Sequence, residues 1–132
     1  MSMKKESKNP IFVIQKHKAT HLHYDFRLEE GGVLKSWALP KEPPLDENVK
    51  RLAIQVEDHE LGYANFEGQI PKGGYGAGTV EIWDKGYYVP LKFEPKEILV
   101  ELKGKKLKGA YCLIKLKPNL SQDKNWLIFK KL

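Results

Sequence analysis

The sequence contains very little cysteine, since Cys112 is the only one in 132 residues. A single cysteine excludes an intramolecular disulfide and any zinc site built from several cysteines, and it gives no indication of secretion. Cys112 stands in the apolar run YCLI at residues 111–114, where a thiol most often acts as a small buried hydrophobic group. The cysteine content therefore favours a domain that folds without covalent cross-links.

Long apolar runs are also missing. The first ten residues, MSMKKESKNP, are polar and lack the apolar core of a secretory signal. No apolar run approaches the ~20 residues that a membrane-spanning helix needs. We therefore expect a soluble, cytoplasmic protein without a membrane partner. Residues 1–10 should form a flexible tail and residues 11–132 a single domain.

The helical period is absent as well. No segment repeats its apolar residues every 3.6 positions over three turns. Short apolar segments alternate instead with turn signals, among them Gly31-Gly32 and the proline-rich stretch 40–44. This pattern predicts an all-β sandwich or barrel with little helix. We expect strands at residues 11–15, 22–28, 33–38, 51–57, 79–83, 87–93, 98–102, 110–116 and 126–129.

Residues 68–78, GQIPKGGYGAG, are rich in glycine and could be mistaken for a phosphate-binding loop. They match neither a Walker A motif nor a dinucleotide fingerprint, because a strand pattern and not a helix follows them. We therefore predict a tight, irregular turn at 68–78. A short helical turn is expected at 46–50, after the proline-rich stretch.

Positive charge exceeds negative charge in this chain. Lysine and arginine number 23 against 17 aspartate and glutamate, and the isoelectric point is about 9.3. Such a balance favours a polyanionic partner, with nucleic acid the first candidate. A lysine-rich soluble surface gives the same balance, so the residue pattern must decide between the two interpretations.

The most informative stretch is 17–27, HKATHLHYDFR, whose second half alternates. In a β-strand, alternate side chains point to opposite faces. One face of this strand presents His23, Asp25 and Arg27. The other face is apolar and aromatic, with Leu22, Tyr24, Phe26 and Leu28. An imidazole, a carboxylate and a guanidinium in one row indicate a site for a metal, an anion or both.

A metal centre could be assembled from the histidines and Asp25. His17 or His23 could join Asp25 and His59 to give two imidazoles and one carboxylate. These ligands suit manganese, iron or zinc. A single histidine of this kind would more often be an ordinary surface residue, but the set shares its strand face with Asp25 and Arg27. The pattern therefore favours a metal site.

The basic residues narrow the chemistry towards phosphate. Arg27 can bind phosphate through two parallel N–H groups, and Arg51 begins a strand that leads towards His59. Lys41 and Tyr63 could add further donors. A divalent metal beside two arginines would stabilise the charge of a phosphoryl-transfer transition state, and a histidine not bound to metal could protonate the leaving oxygen.

Two other interpretations fit some of the same residues. His23-x-Asp25 with a distant His59 has the order of the two-histidine, one-carboxylate triad of non-haem iron oxygenases. The basic composition, and His17 left without a role, count against that assignment. A catalytically weak nucleic-acid-binding module that recruits repair enzymes is the second alternative, and an assay of activity separates it from an enzyme.

Five ordered blocks resemble one family. They are FVIQKH at 12–17, LHYDFRLE at 22–29, LKSWALPK at 34–41, KRLAIQVEDH at 50–59 and FEGQIPKGGYGAG at 66–78. Together they resemble the 3′-phosphoesterase domain that is fused to bacterial ATP-dependent DNA ligases of nonhomologous end joining and also occurs as a stand-alone protein. The resemblance runs from about residue 12 to the C-terminus, and it is far more specific than His-x-Asp alone.

The resemblance implies a compact, closed β-barrel with a catalytic groove on one side. It implies Mn²⁺-dependent healing of DNA or RNA 3′ ends, with Co²⁺ or Zn²⁺ as other candidate metals. A 3′-ribonucleoside phosphodiesterase step would leave a 3′-phosphate, and a 3′-phosphomonoesterase step would leave a 3′-OH on a primer-template. We further expect a monomer that works with separate ligase, polymerase and end-binding repair proteins.

The resemblance also implies roles for individual residues. Because His23 shares a strand face with Arg27, we expect it to contact phosphate or protonate the leaving oxygen without ligating the metal. His21 matches no functional position of the family, so we expect it to be a surface residue. The matching blocks place the metal ligands at His17, Asp25 and His59. They place catalytic and phosphate-binding groups at His23, Arg27, Arg51 and Tyr63, with Lys41 lining the site.

Overall fold

The computed structural model describes residues 9–71 and 77–131, and within these ranges the chain is built almost entirely of β-strands. One 3₁₀ helix, Leu61–Asn65, interrupts the strands of the described residues. Across the described part of the chain, no helix is long and apolar enough to cross a membrane. The strands are β1 (Ile11–Lys18), β2 (Leu22–Glu30), β3 (Val33–Leu39), β4 (Lys50–Glu60), β5 (Gly68–Ile70), β6 (Gly78–Phe93), β7 (Glu97–Lys103), β8 (Lys108–Lys115) and β9 (Asn125–Lys130).

The strands form a closed antiparallel barrel in the order β1-β2-β3-β4-β9-β8-β7-β6. The pairing of β1 with β6, from Ile11↔Tyr87 to Lys18↔Thr79, closes the ring. The short strand β5 pairs with the first residues of β6. Closure removes unpaired strand edges, and it confirms the predicted all-β barrel.

The alternation of β2 divides its side chains between the two faces of the barrel wall. Tyr24, Phe26 and Leu28 are buried in the interior core, together with Trp37 and Trp126. Because successive side chains of a strand point to opposite faces, His23, Asp25 and Arg27 lie on the outer face. The apolar residues of β2 hold the strand in the wall, and its polar residues are displayed outside.

A second, smaller apolar cluster lies on the outside of the barrel. Val13, Leu34 and Ala64 are fully buried there, and Tyr63 packs against them. The segment that follows β4 therefore folds back over the outer faces of β1 and β3. This additional layer partly covers the barrel wall beside the polar row of β2.

The structure joins two predicted strands into one, because β6 runs without interruption from Gly78 to Phe93. The sequence Asp84-Lys85-Gly86 suggests a break, but each of its ends has a structural role. Asp84 is buried and accepts hydrogen bonds from backbone amides of residues 105–107. A Cβ atom at Gly86 would lie 2.2 Å from the Lys103 carbonyl oxygen, so glycine allows the close approach of β7.

Two further expectations need adjustment. Residues 46–49 form a bend and a turn, not a helical turn, and the 3₁₀ helix Leu61–Asn65 was not predicted. The predicted irregular turn at 68–78 is wrong at its start, because Gly68–Ile70 form β5, which pairs with β6. Residues 1–8 of the expected tail and residues 72–76 of the glycine-rich segment lie outside the described residues.

Candidate active site

Two imidazoles and a carboxylate meet on the outer face of β1 and β2. His17 and His23 are directly opposite each other in the antiparallel register, and their ring centroids are 4.7 Å apart. His23 Nε2 lies 3.3 Å from one oxygen of Asp25, and His17 Nδ1 lies 3.9 Å from the other. One nitrogen of each histidine and one Asp25 oxygen lie within 4.8 Å of one another, so this group could hold a metal ion.

Arg27 continues the row and is almost completely buried, with 2% of its surface exposed. Its Nε donates to Gln15 Oε1 at 2.7 Å, and its Nη1 donates to Ser36 Oγ at 2.8 Å. Nη1 also donates to His59 Nδ1 at 3.2 Å, while Nη2 lies 3.3 Å from Asp25 Oδ2. A guanidinium has five N–H groups, so these contacts leave about one N–H, on Nη2, for a ligand.

The 3₁₀ helix adds an aromatic wall to this arrangement. The guanidinium carbon of Arg27 lies 4.9 Å from the centroid of the Tyr63 ring, which stacks on Phe66 with ring centroids 5.2 Å apart. The centroid of the His59 ring is 4.8 Å from that of Tyr63. A cation over an aromatic face is stabilised by the ring quadrupole, so Tyr63 helps to keep Arg27 in place.

Hydrogen bonding distinguishes the two ring nitrogens of His59. Arginine can only donate, so in the tautomer that satisfies the buried guanidinium, Nδ1 of His59 accepts from Arg27 Nη1 at 3.2 Å and carries no proton. The Glu57 carbonyl, 3.3 Å from the same nitrogen, then receives no proton from it. In this tautomer the proton of the neutral ring is on Nε2, which makes His59 a donor towards a ligand.

In neutral His23 the proton is on the other ring nitrogen, Nδ1. Its Nδ1 lies 3.3 Å from the His21 carbonyl oxygen, to which it can only donate. Its Nε2 faces Asp25, and loss of the Nε2 proton would leave that nitrogen free to ligate a metal. A backbone carbonyl that orients a ligand histidine through its other nitrogen is a common outer-shell arrangement.

Burial and charge shift three ionisation equilibria in the site. The hydrogen bond to Asp25 raises the pKa of His23 above its ordinary value, although burial opposes this effect. Burial lowers the pKa of Arg27, and the charge of Asp25 opposes that shift. Burial also raises the pKa of the Tyr63 hydroxyl, so Tyr63 is a neutral hydroxyl at physiological pH.

The structure separates the predicted site residues into two groups. His17, His23, Asp25, Arg27, His59 and Tyr63 are connected by the contacts described above. Lys41 is exposed in the β3–β4 connection. Arg51, at the start of β4, donates through Nε to the Glu42 carbonyl at 2.8 Å, so it ties that connection to the strand. His21 is exposed, as expected.

Two residues of the site were not identified from the sequence. Gln15 is fully buried and, besides accepting from Arg27, donates to the backbone carbonyls of Tyr63 and Phe66. Ser36 is fully buried and donates to the Leu34 carbonyl. An amide inside the apolar segment IFVIQ was the available signal, because a buried polar side chain needs a specific partner.

Comparison with known proteins identifies relatives of this chain. A family model described as the DNA ligase D 3′-phosphoesterase domain matches residues 15–115. The chain is 52% identical over 125 residues to the multifunctional non-homologous end joining protein LigD of Pseudomonas aeruginosa, covering 90% of this chain and 15% of that protein. It is 54% identical over 108 residues to LigD of Mycobacterium bovis, covering 79% and 14% respectively. It therefore spans only about one seventh of the length of these relatives.

The fold and the site together define the structural class of this protein. The molecule is a closed all-β barrel that displays a candidate metal group and a buried arginine on its outer face. The chain belongs to the DNA ligase D 3′-phosphoesterase domain family.

A substitution of Gln15 tests whether its buried amide stabilises the site. Gln15→Leu keeps the volume but removes the acceptor for Arg27 Nε and the donor to the 3₁₀ segment. We expect it to lower the free energy of unfolding by about 1–3 kcal/mol, because a buried charged donor loses its partner. Chemical denaturation measures this change. Gln69→Leu is the control, since Gln69 is exposed. Equal stability of the two variants would contradict the role of Gln15.

Proposed function

We propose that this domain is a manganese-dependent phosphoesterase that heals the 3′ ends of DNA or RNA in repair and end joining. Its activities would be removal of a terminal 3′-ribonucleoside, as a phosphodiesterase, and of a 3′-phosphate, as a phosphomonoesterase. The observation that carries the proposal is the position of a His–His–Asp group next to the buried Arg27, which is hydrogen-bonded to the half-buried His59 and joined to the group through Asp25. Family membership supports the same class of reaction.

His17, His23 and Asp25 are the residues that would hold the metal. The donor set is chemically suitable, because neutral imidazoles and one carboxylate suit Mn²⁺, Co²⁺ and Zn²⁺. When bound, a divalent ion would supply positive charge that stabilises the phosphate oxygens in the transition state. The polypeptide's own contribution is to hold the two imidazoles on paired strands at the distance that a shared ligand requires.

Arg27 and His59 would bind the phosphate that is cleaved. Arg27 keeps about one N–H on Nη2, and His59 presents its Nε2 proton because Nδ1 accepts from Arg27. Two donors held in this way are organised before the substrate arrives, which is the main requirement for electrostatic stabilisation of developing charge. Tyr63 could add its hydroxyl to the same phosphate. Lys41 and Arg51 would contact the substrate further from the reacting bond.

This assignment exchanges two roles that the family resemblance implied. His23 moves from phosphate to metal, and His59 moves from metal to phosphate. The metal role of His23 is supported by its position in the group whose ligand atoms lie within 4.8 Å of one another. The phosphate role of His59 is supported by the hydrogen bond from Arg27. In that tautomer Nε2 is protonated and therefore unsuitable as a metal ligand.

The activity is tested with a primer-template that ends in a 3′-phosphate. With Mn²⁺ present, we expect conversion to a 3′-OH product, and a primer that ends in one ribonucleotide should first yield a 3′-phosphate. A chelator should stop both reactions. Binding of the primer without any conversion would instead favour the accessory nucleic-acid-binding module.

Paired alanine variants test the exchange of roles. His23→Ala should lose Mn²⁺ binding and turnover together, because it removes a ligand. His59→Ala should keep Mn²⁺ binding within about threefold and lose turnover by at least about 100-fold, the usual effect of removing one preorganised donor. Calorimetry measures the metal affinity, and the primer assay measures turnover. Retention of the metal by His23→Ala, with its loss from His59→Ala, would restore the sequence-based assignment.

Metal binding should also depend on pH. Because Asp25 raises the pKa of His23, protons compete with the metal at a pH above the ordinary imidazole value of about 6.5. Mn²⁺ affinity should therefore fall as the pH is lowered through that region, and binding near neutral pH should release a proton. Calorimetry in buffers of different ionisation enthalpy detects this release. Affinity that stays constant from pH 8 to pH 6 would exclude His23 as a ligand.

A further inference from the structure

The charged residues are distributed unevenly between the two ends of the barrel. The antiparallel register places the ends of β1, β3, β7 and β9 at one end, together with the starts of β2, β4, β6 and β8. We call this the His17 end. It carries the lysines of the β7–β8 connection and of the end of β9, whereas the opposite end carries several carboxylates. The lysines are Lys103, Lys105, Lys106, Lys108, Lys130 and Lys131, and the carboxylates are Glu29, Glu30, Glu57, Asp58 and Glu60.

Two lysines at the His17 end are held on aromatic rings. Lys106 Nζ lies 4.3 Å from the centroid of the Trp83 ring, and Lys16 Nζ lies 5.9 Å from that of Tyr24. The two rings contact each other edge to face, with centroids 5.9 Å apart. Each lysine is therefore held on one ring of a contacting aromatic pair, without a carboxylate partner in either of these contacts.

The connection that carries Lys106 is fixed by a buried charge that the proposed reaction does not use. Asp84 is 4% exposed and accepts from the backbone amides of Lys105, Lys106 and Leu107 at 2.9, 3.2 and 2.8 Å. Leu107 is fully buried in the core. A carboxylate that accepts several amide hydrogen bonds holds a loop in one conformation, so the lysines are presented from a defined position.

This lysine pair is adjacent to the candidate metal group. Lys16 precedes His17 on β1, and Tyr24 follows His23 on β2, so the Lys16↔Tyr24 pair is next to His17↔His23 in the register. Because neighbouring residues of a strand point to opposite faces, the side chains of Lys16 and Tyr24 lie at the barrel mouth, whereas the metal group lies on the outer face. Only the rim of the wall, where β1 turns into β2, separates them.

We propose that the His17 end of the barrel binds the nucleic-acid strand on the 5′ side of the reacting 3′ terminus, with Lys16 and Lys106 contacting consecutive backbone phosphates. The proposal rests on the proposed function for the nature of the substrate. The strand would leave the metal group across the β1–β2 rim and pass over the mouth, away from the carboxylates of the opposite end. Contacts to backbone phosphates position a strand without reading its sequence, so the surface would accept any base sequence.

Binding to an oligonucleotide that already ends in a 3′-OH tests this surface without any catalysis. Lys16→Ala and Lys106→Ala should each weaken the binding of single-stranded DNA several-fold at low salt. Each should reduce the slope of log affinity against log salt by about 0.7, the value for one phosphate contact on a single strand. Lys96→Ala is the matched control, because Lys96 is exposed in the β6–β7 connection at the opposite end, and it should leave the slope within about 0.2.

Turnover of two substrates separates this surface from the reaction itself. A nucleoside 3′-phosphate can occupy only the reacting site, so its turnover should be unchanged in Lys106→Ala, whereas kcat/KM for a 3′-phosphate oligonucleotide should fall several-fold. If the wild type turns over neither substrate, the proposed function is overturned, whereas the measured affinity for single-stranded DNA and its salt slope still test the strand path. Wild-type affinity and salt slope in both lysine variants, with full oligonucleotide turnover, would overturn the strand path.

Discussion

The buried guanidinium of Arg27 is the constraint on which the site depends. A charge that is 2% exposed must be matched by partners, because an unpaired buried charge is very costly. Those partners come from β1, β2, β3 and β4, in the form of Gln15, Asp25, Ser36 and His59. The four strands must therefore be in the correct register before Arg27 is satisfied. The strand register that forms this part of the barrel wall therefore also assembles the site.

The same constraint explains why the 3₁₀ segment lies on the outside of the barrel. Arg27 would be open to water if nothing covered the outer face of β1 and β3. Ala64 packs on Val13 and Leu34, and this apolar contact brings the Tyr63 ring over the guanidinium. Gln15 completes the arrangement, since its amide binds the backbone of the covering segment and the arginine together. The cover and the charge stabilise each other.

The sequence predicts more of the fold than of the division of roles within the site. Alternation on β2 identifies the face that carries His23, Asp25 and Arg27, because the period of a strand is fixed by its geometry. The roles proposed for His23 and His59 depend on contacts that no spacing encodes. A bulge between Leu34 and Ser36 shifts the register of β4, which brings His59 opposite Leu34 and within reach of Arg27. The continuity of β6 through Gly86 likewise depends on the position of a strand distant in sequence.

Asp25 has a central electrostatic position in this arrangement. One of its oxygens faces His23, and the other faces both His17 and Arg27. A divalent ion bound by the imidazoles would be repelled by the nearby guanidinium of Arg27. The carboxylate of Asp25, which lies between the imidazoles and the guanidinium, would offset that repulsion. Under the proposed function, the bound ion and the guanidinium would be two positive centres with a shared negative partner, and the reacting phosphate would contact both.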